Sequence, residues 1–492
     1  MFFFCIFFYN QRMIIIETSS LSAHELSNLK LTLTFKLKEY NNPTGYKEVK
    51  FYEERGNTIR IPRFYAALHL SNINYADESL KSLVQQTGLR FNGKLQETKT
   101  RPQITAFHAT VKQLQTTKGA LLVLPPGTGK TNLAIAIALH LRLKVLVLVH
   151  TDFLLTQWQK RITDFVIGTN PVKIGLIQQD TCDSDGCDFV LASIQSLHSR
   201  DYDTKDLACG LLIVDEAHHI AANTFSQVLA KIPHYYSMGL TATPKRGDGL
   251  GPMIEYLLGS RCFELEVPRN KNVQVNMITY TLGQEKEIVY KNGTVGISSM
   301  VTLLTKDALR NKLLVDIISL LYMKFPTRKG LLLSDRVDHS KQIYHKLDPS
   351  MSAIITGNIH TEMTKKERAQ RKKEKKEVEF TKFITLSTYK MFSEAVDFDG
   401  DFIILSTPKV NIEQSTGRIL RGRNLKHDPV IFDIVDPFSS FDVWRWTRFN
   451  FYKKRGYEIV CLKEFQIYNE AKRTSQHQRN QNQSTTAMDT SR

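Results

Sequence analysis

Cysteine is scarce in this sequence, with six in 492 residues. Such sparse spacing excludes a disulfide-stapled scaffold and indicates reduced thiols in an intracellular protein. Only Cys182 and Cys187 lie close together, and no second Cys or His pair stands near enough to complete a zinc site.

Long hydrophobic runs are also missing. The first run, FFFCIFFY, is far shorter than the roughly 20 residues that a spanning helix needs. It also lacks the charged flank and small-residue cleavage site of a signal peptide. No other segment is long and apolar enough to span a bilayer, so no membrane partner is expected. We interpret residues 1–24 as an apolar N-terminal extension, and Met13 as the functional start.

Acidic residues are too few to balance the basic ones: 49 Asp and Glu stand against 66 Lys and Arg, a formal net charge of +17. This excess predicts a polyanionic partner, nucleic acid before an acidic membrane surface. The composition, 42% hydrophobic and 23% charged, is ordinary for a folded protein. It excludes a collagen-like, coiled-coil or wholly disordered chain.

Short apolar runs alternate with longer amphipathic stretches from about residue 119. Continuously apolar runs suit parallel strands buried on both faces, with helices as crossovers. Two successive series predict an α/β fold of two doubly wound domains, 101–268 and 269–465. The runs are 120–124, 144–149, 188–193, 211–215 and 236–243, then 330–335, 352–357, 383–388, 402–407 and 430–436.

The remaining segments have different patterns. Residues 25–100 include LKLTLTFKLKEY, which alternates as half-exposed strands do, and predict a small separate α+β domain. Residues 365–377 carry eight Lys and Arg against three Glu. That run is either a solvated helix face or a nucleic-acid contact. The polar end, 466–492, predicts a disordered tail.

The stretch LPPGTGKT follows an apolar strand and precedes a helical segment, the context that a phosphate-binding loop requires. Gly127 and Gly129 let backbone N–H groups turn towards the phosphates of ATP. Lys130 can reach the β- and γ-phosphates, and the Thr131 hydroxyl can ligate Mg²⁺. The helix directs its positive N-terminal end at the same charge. The predicted ATP contacts are Leu124, Pro125, Pro126, Gly127, Thr128, Gly129, Lys130 and Thr131.

The partner motif is LLIVDEAHH at 211–219, an apolar strand that ends in adjacent carboxylates. Asp215 can hold Mg²⁺ directly or through water, and Glu216 can orient or deprotonate the attacking water. His218 suits a hard, oxygen-preferring metal poorly, so we predict a coupling role for it.

The order DEAH at 215–218, TATP at 241–244 and QSTGRILR at 414–421 resembles that of the superfamily 2 helicases. Within this superfamily the chain is similar to the branch with the TFIIH repair and transcription helicase, type III restriction motors and helicases of large DNA viruses. The segments HTDFLLTQWQKRI (150–162) and LTATPKRGDGL (240–250) carry that resemblance. The length is similar to that of poxvirus-type transcript-release helicases.

The resemblance implies two tandem RecA-like domains that hydrolyse ATP between them. It implies catalytic roles for Gln414, Arg418 and Arg421, with Arg421 as an arginine finger, beside Lys130, Asp215 and Glu216. The residues implied to couple ATP to nucleic acid are His218, Thr241, Thr243, Glu394 and Asp397. Those implied to line the nucleic-acid path are Gln157, Ser193, Gln195, Thr356, Gly357 and Thr388. In RPQIT at 101–105, Gln103 stands one residue earlier than in the family pattern, which does not support an adenine contact.

We therefore predict a nucleic-acid-dependent ATPase that uses Mg²⁺ and moves along or unwinds nucleic acid, DNA in preference to RNA. The resemblance implies a viral protein of transcription or replication in the host cell and in the virion, with the transcription machinery as a partner. One alternative is a duplex translocase or transcript-release factor that separates no strands. Others are a non-catalytic nucleic-acid-binding scaffold and an ATPase acting on protein substrates.

Overall fold

The computed structural model describes residues 13–38, 46–70, 78–125, 127–219, 227–229, 231–242, 251–265, 272–283, 287–290, 293, 295–355, 382–395, 400–413, 415–416 and 427–471. The chain divides into two compact units, Met1–Val267 and Pro268–Arg492. Each unit contains one large sheet of mainly parallel strands, which confirms the predicted α/β class. The finer division, with a separate domain at 25–100, stays a prediction.

Small antiparallel sheets make up the N-terminal part of the first unit. One has the order β1-β5-β4, and β2 pairs with β3. The helices and strands of this N-terminal part are β1 (Met13–Glu17), α1 (Ala23–Thr32), β2 (Thr34–Lys38), β3 (Tyr46–Lys50), β4 (Glu53–Arg55), β5 (Thr58–Pro62) and α2 (Arg63–His69).

The alternating pattern at 29–40 predicted a strand. This prediction is wrong for residues 29–32, which form the end of α1. The helix begins at a capping box: the Ser22 hydroxyl accepts from the Glu25 N–H, and the Glu25 carboxylate accepts from the Ser22 N–H. Because this start signal lies upstream of the alternating residues, the helix extends into them and the strand begins only at Thr34.

The main sheet of the first unit has the order β13-β12-β14-β10-β15-β16-β9-β17. Only the edge strand β13 is antiparallel to its neighbour. β9, β10, β14 and β15 are buried along their whole length. The helices and strands of the rest of the first unit, including the small pairs β6–β11 and β7–β8 outside this sheet, are β6 (Arg90–Phe91), β7 (Glu97–Thr98), β8 (Arg101–Pro102), α3 (Gln103–Thr117), β9 (Gly119–Val123), α4 (Lys130–Leu141), β10 (Val145–Val149), α5 (Asp152–Phe165), β11 (Val166–Ile167), β12 (Ile174–Gln178), β13 (Thr181–Asp183), β14 (Phe189–Ser193), α6 (Ile194–Ser199), α7 (Thr204–Leu207), β15 (Cys209–Val214), β16 (His234–Thr241), α8 (Gly251–Leu258) and β17 (Arg261–Glu264).

The sheet of the second unit is parallel throughout, with the order β20-β21-β19-β22-β23-β18-β24. The elements are β18 (Gln274–Thr279), α9 (Ile297–Lys306), α10 (Ala308–Lys324), β19 (Gly330–Ser334), α11 (Val337–Tyr344), β20 (Ser352–Ile355), β21 (Ile384–Thr388), α12 (Tyr389–Ala395), β22 (Phe402–Leu405), β23 (Val430–Val435), α13 (Ser439–Arg455) and β24 (Glu458–Lys463).

Residues 464–471 are helical, and Ile467 packs into the core of the second unit. The predicted disordered tail is therefore wrong for residues 466–471, which are helical because Ile467 packs against the core. No helix in the described part of the chain is long and apolar enough to cross a membrane.

Buried ion pairs tie helices to the strand ends of the second unit. Arg310 on α10 pairs with Asp436 through Nε and Nη2, at 2.8 and 2.9 Å, and donates from Nη1 to the carbonyl of Ser406. Arg448 on α13 donates to Asp433 within β23 at 2.7 Å. Since all these charges are buried, removing one partner would leave a costly unpaired charge.

Candidate nucleotide site

The phosphate-binding loop connects β9 to α4. Its backbone needs glycine twice, because φ is +84° at Gly127 and +83° at Gly129, in the left-handed region. The Thr128 hydroxyl donates to the Pro125 carbonyl at 2.7 Å and closes the turn. Lys130 is the first residue of α4, so its side chain starts at the positive end of that helix.

Three adjacent strands bring the motifs together. β15, β16 and β9 are parallel neighbours, so the DEAH segment, Thr241 and the loop all follow carboxyl ends at one edge of the sheet. Lys130 Nζ lies 3.3 Å from Glu216 Oε1, and neither side chain is more than about a fifth exposed. The loop and the acidic motif are thus in direct contact.

Asp215 is 5% exposed and held on both carboxylate oxygens. Oδ2 accepts from the indole Nε1–H of Trp158 at 2.8 Å, and Oδ1 accepts from the Glu216 N–H at 2.9 Å. Burial, with the charge of Glu216, raises the pKa of Asp215 to about 6, and the charge of Lys130 opposes the rise. The carboxylate therefore has a fixed orientation and an environment in which a bound cation would be favourable.

His218 links the acidic motif to the next strand. Its Nδ1 lies 2.9 Å from the Thr241 hydroxyl and 3.4 Å from Glu216 Oε2. Thr241 is fully buried at the end of β16. A line of contacts thus runs from Lys130 through Glu216 and His218 to Thr241.

Gln103 is 7% exposed at the start of α3 and also contacts the loop. Its Nε2–H donates to the Thr128 carbonyl at 2.7 Å, and its Oε1 accepts from the Gln96 N–H at 2.8 Å. Both ends of the amide are therefore engaged by the protein.

The residues implied to line the nucleic-acid path are only partly brought together. The Ser193 hydroxyl donates to Gln195 Oε1 at 3.0 Å, and Gln195 Nε2 donates to the His150 carbonyl at 2.6 Å. Gln157 is half-buried on α5, the helix that follows β10. Thr388 belongs to the second unit, where its hydroxyl accepts from the Met391 N–H.

Several predicted site residues lie outside the described part of the chain. They are Pro126, Thr243, Thr356, Gly357, Asp397, Gln414, Arg418 and Arg421, together with the basic run at 365–377. Glu394 lies in α12, and its side chain is outside the description.

Sequence reasoning missed the role of Trp158. The residue stands in the segment HTDFLLTQWQKRI, and it is fully buried. With Leu155 and Ile162 it forms the buried face of α5. A buried indole N–H needs a hydrogen-bond acceptor, so a carboxylate partner for Trp158 could have been predicted.

A glycine-containing loop after one buried parallel strand, with an acidic pair after a nearby strand, defines a nucleoside triphosphatase of the P-loop class. Comparison with known proteins narrows this class. Residues 97–246 match the family model described as type III restriction enzyme, res subunit.

A protein of Acanthamoeba polyphaga mimivirus, named as a candidate ATP-dependent RNA helicase (L396), is 31% identical over 462 residues, 90% of this chain and 85% of that protein. The DNA 3'-5' translocase XPB2 of Sulfurisphaera tokodaii is 31% identical over 161 residues, 32% of this chain and 33% of that protein. A solved fragment of a candidate HsdR subunit of a type I restriction enzyme from Vibrio vulnificus shares the fold. Its TM-score is 0.50 at 16% identity, over 74% of this chain and 68% of that one.

The chain belongs to the superfamily 2 helicases, a family of ATP-dependent helicases and translocases.

Proposed function

We propose that Mg²⁺ and ATP bind at the loop 124–131 and the acidic pair, and that hydrolysis there drives movement along duplex DNA. The observation that carries this proposal is the contact between Lys130 and Glu216. In this contact the cation that would bind phosphate lies beside the carboxylate that would act on water, which supports a common site for both.

The residues fit a magnesium ion. Asp215 offers carboxylate oxygens whose orientation Trp158 and the Glu216 N–H fix, and carboxylate oxygens keep further lone pairs after accepting one hydrogen bond each. The Thr131 hydroxyl, on the first turn of α4, is a second oxygen donor. Asp215 and Thr131 would hold Mg²⁺, which prefers oxygen ligands. Bound there, the metal would neutralise charge on the phosphates.

The protein's own groups would act in a defined order. Lys130 and Glu216 form an ion pair. Phosphate oxygens would compete for Lys130, and Glu216 would then be released to orient and deprotonate a water molecule. His218 contacts Glu216 and Thr241, so it is placed to couple the state of this carboxylate to the end of β16.

The charge supports a nucleic-acid partner of either kind, and the choice of DNA rests on one relative. The net charge of +17 favours contacts with phosphate backbones, which carry no sequence information. The Sulfurisphaera relative is named a DNA translocase, and the mimivirus relative is named for RNA. We favour duplex DNA. Since the mimivirus relative is viral, we propose a viral role in the infected cell and the virion, with the transcription machinery as partner.

An ATPase assay with no nucleic acid, duplex DNA, single-stranded DNA or RNA tests the proposal. We expect duplex DNA to give the largest stimulation. A larger stimulation by RNA would overturn the DNA assignment. Absence of ATPase activity under every condition would overturn the proposal and favour the alternative of a non-catalytic nucleic-acid-binding scaffold. A strand-displacement assay on the same substrates separates unwinding from translocation without strand separation.

A further inference from the structure

The side chain of Gln103 bridges two segments that are distant in sequence. Its Oε1 accepts from the Gln96 N–H at 2.8 Å, and its Nε2–H donates to the Thr128 carbonyl, 25 residues away, at 2.7 Å. The Gln103 N–H also donates to the Gln96 carbonyl at 2.8 Å. The amide is thus anchored to Gln96 on one side and to the phosphate-binding loop on the other.

A short hairpin holds Gln103 in place. β7 and β8 pair antiparallel directly before α3. Glu97 in β7 caps that helix: its carboxylate accepts from the N–H groups of Ile104 and Thr105, each at 3.0 Å, and from the Thr105 hydroxyl at 2.7 Å. These hydrogen bonds lower the pKa of Glu97, which favours the ionised carboxylate that caps the helix.

The loop is shaped to fit this amide. A Cβ added to Gly129 would lie 2.4 Å from Gln103 Nε2, so any other residue there would displace the Gln103 amide. Gly129 also has φ of +83°. Glycine at 129 therefore meets two demands, the left-handed backbone and the close approach of Gln103.

Holding the Thr128 carbonyl has a consequence for the peptide that follows it. The C=O and N–H of a trans peptide point in opposite directions. With the Thr128 carbonyl directed at Gln103, the Gly129 N–H is directed away from Gln103. That N–H belongs to the set that would face the phosphates in the proposed function.

We propose that Gln103 is a positioning residue that sets the orientation of the phosphate-binding loop through the Thr128 carbonyl, and that it does not select the base of the nucleotide. This inference rests on the proposed function, since it assumes that nucleotide binds at the loop. It follows that losing the Gln103 contact weakens the binding of every triphosphate by the same factor, whatever base is attached.

The test compares Gln103→Glu with the wild-type full-length chain. Glutamate has nearly the same shape and keeps an acceptor for the Gln96 N–H, but it sets a carboxylate oxygen against the Thr128 carbonyl. Gln115→Ala is the matched control, because Gln115 is an exposed glutamine at the far end of the same helix. Dissociation constants are measured for ATP, GTP and inorganic tripolyphosphate, each with Mg²⁺, and circular dichroism melting checks the fold.

We expect Gln103→Glu to weaken binding of all three ligands by a common factor of about ten, the loss of roughly one hydrogen bond. The KM for ATP should rise while kcat changes much less, since an orienting contact acts on bound substrate and transition state alike. Gln103→Ala should weaken binding by the same common factor. Because alanine adds no charge, this variant separates the loss of the contact from an effect of the glutamate charge.

Two results would overturn the inference. A loss confined to ATP, with tripolyphosphate binding unchanged, would make Gln103 a reader of adenine. Unchanged binding of all three ligands would show that the contact does not orient the loop. Failure of the wild-type chain itself to bind ATP and tripolyphosphate would instead overturn the proposed function, and this inference with it.

Discussion

The indole Nε1–H of Trp158 donates a 2.8 Å hydrogen bond to Oδ2 of Asp215, and both side chains are buried. The bond joins α5 to the end of β15, 57 residues apart in sequence. Protein groups fix the orientation of this carboxylate, and in a metal site such outer hydrogen bonds tune the affinity for the metal.

Replacing Trp158 by phenylalanine should raise the Mg²⁺ concentration needed for half-maximal ATPase activity by about tenfold, because outer partners of metal ligands typically contribute 10- to 100-fold. Phenylalanine keeps an aromatic ring in the core but donates no hydrogen bond. Trp444→Phe, in the second unit, is the control. An unchanged Mg²⁺ titration would show that the bond to Asp215 does not prepare the metal site.

Lys130→Ala should leave the fold intact and reduce kcat for ATP hydrolysis by about 10² to 10³-fold, the typical loss for one group that stabilises transition-state charge. Lys130 Nζ lies against Glu216, whose side chain is about a fifth exposed, so the carboxylate left behind keeps access to water. Lys112→Ala, an exposed position on α3, serves as control. Turnover near the wild-type rate would contradict the assignment of the phosphate-binding loop.

Glu216→Gln should keep ATP binding and lose turnover, since an amide cannot accept the proton of the attacking water. The backbone at Glu216 has φ of +48°, and glutamine can adopt it at a cost similar to that of glutamate. Equilibrium binding and single-turnover hydrolysis measured on the same sample separate the two effects. Loss of ATP binding would point to a structural role for Glu216.

Thr241→Val should lower the DNA-stimulated ATPase rate more than the unstimulated rate. Valine matches the shape of threonine but removes the hydroxyl that lies 2.9 Å from His218 Nδ1. His218→Asn breaks the same contact from the other side, so the two changes combined should lose much less than the sum of their single effects. Additive losses in this double-mutant cycle would show that the pair does not couple the strands.

His339 predicts a pH dependence of stability in the second unit. It is buried, with Nε2 at 2.9 Å from Asn311 Oδ1 and Nδ1 at 2.9 Å from the Ser334 hydroxyl. Since an amide oxygen only accepts, Nε2 carries a proton. Burial, with the charge of Arg310, lowers the pKa of His339 to about 3 from 6.5.

The folded pKa lies below the unfolded one, so between pH 6.5 and about 3 only the unfolded chain binds the proton. This contribution to stability is complete above pH 6.5 and falls by about 1.4 kcal/mol per pH unit below it. Urea unfolding at pH 7, 6 and 5 measures the slope. His339→Gln should remove it and His345→Gln, at an exposed position, should keep it. An equal slope in both variants would contradict the assignment.

Prediction from sequence succeeded where a property depends on neighbours in the chain. The strands at 119–123, 145–149 and 189–193 lie within a residue of the apolar runs, because residues buried on both faces must be apolar along the whole strand. Glycines at 127 and 129 and the acidic pair at 215–216 predicted a nucleotide site, since their chemistry and spacing are local, and this assignment stays a prediction. The strand prediction at 29–32 failed, because the capping signal at Ser22 outweighed the alternation.

Contacts between segments that are distant in the chain could not be predicted from the sequence pattern. The sequence by itself determined a parallel α/β protein with a glycine-containing loop and a carboxylate pair, because strand burial and loop composition depend on residues adjacent in the chain. Only the tertiary structure decided that Trp158 holds Asp215 and that Gln103 holds the Thr128 carbonyl. Each contact joins segments whose distance depends on strand order and helix packing, and those are set by the whole unit as it folds.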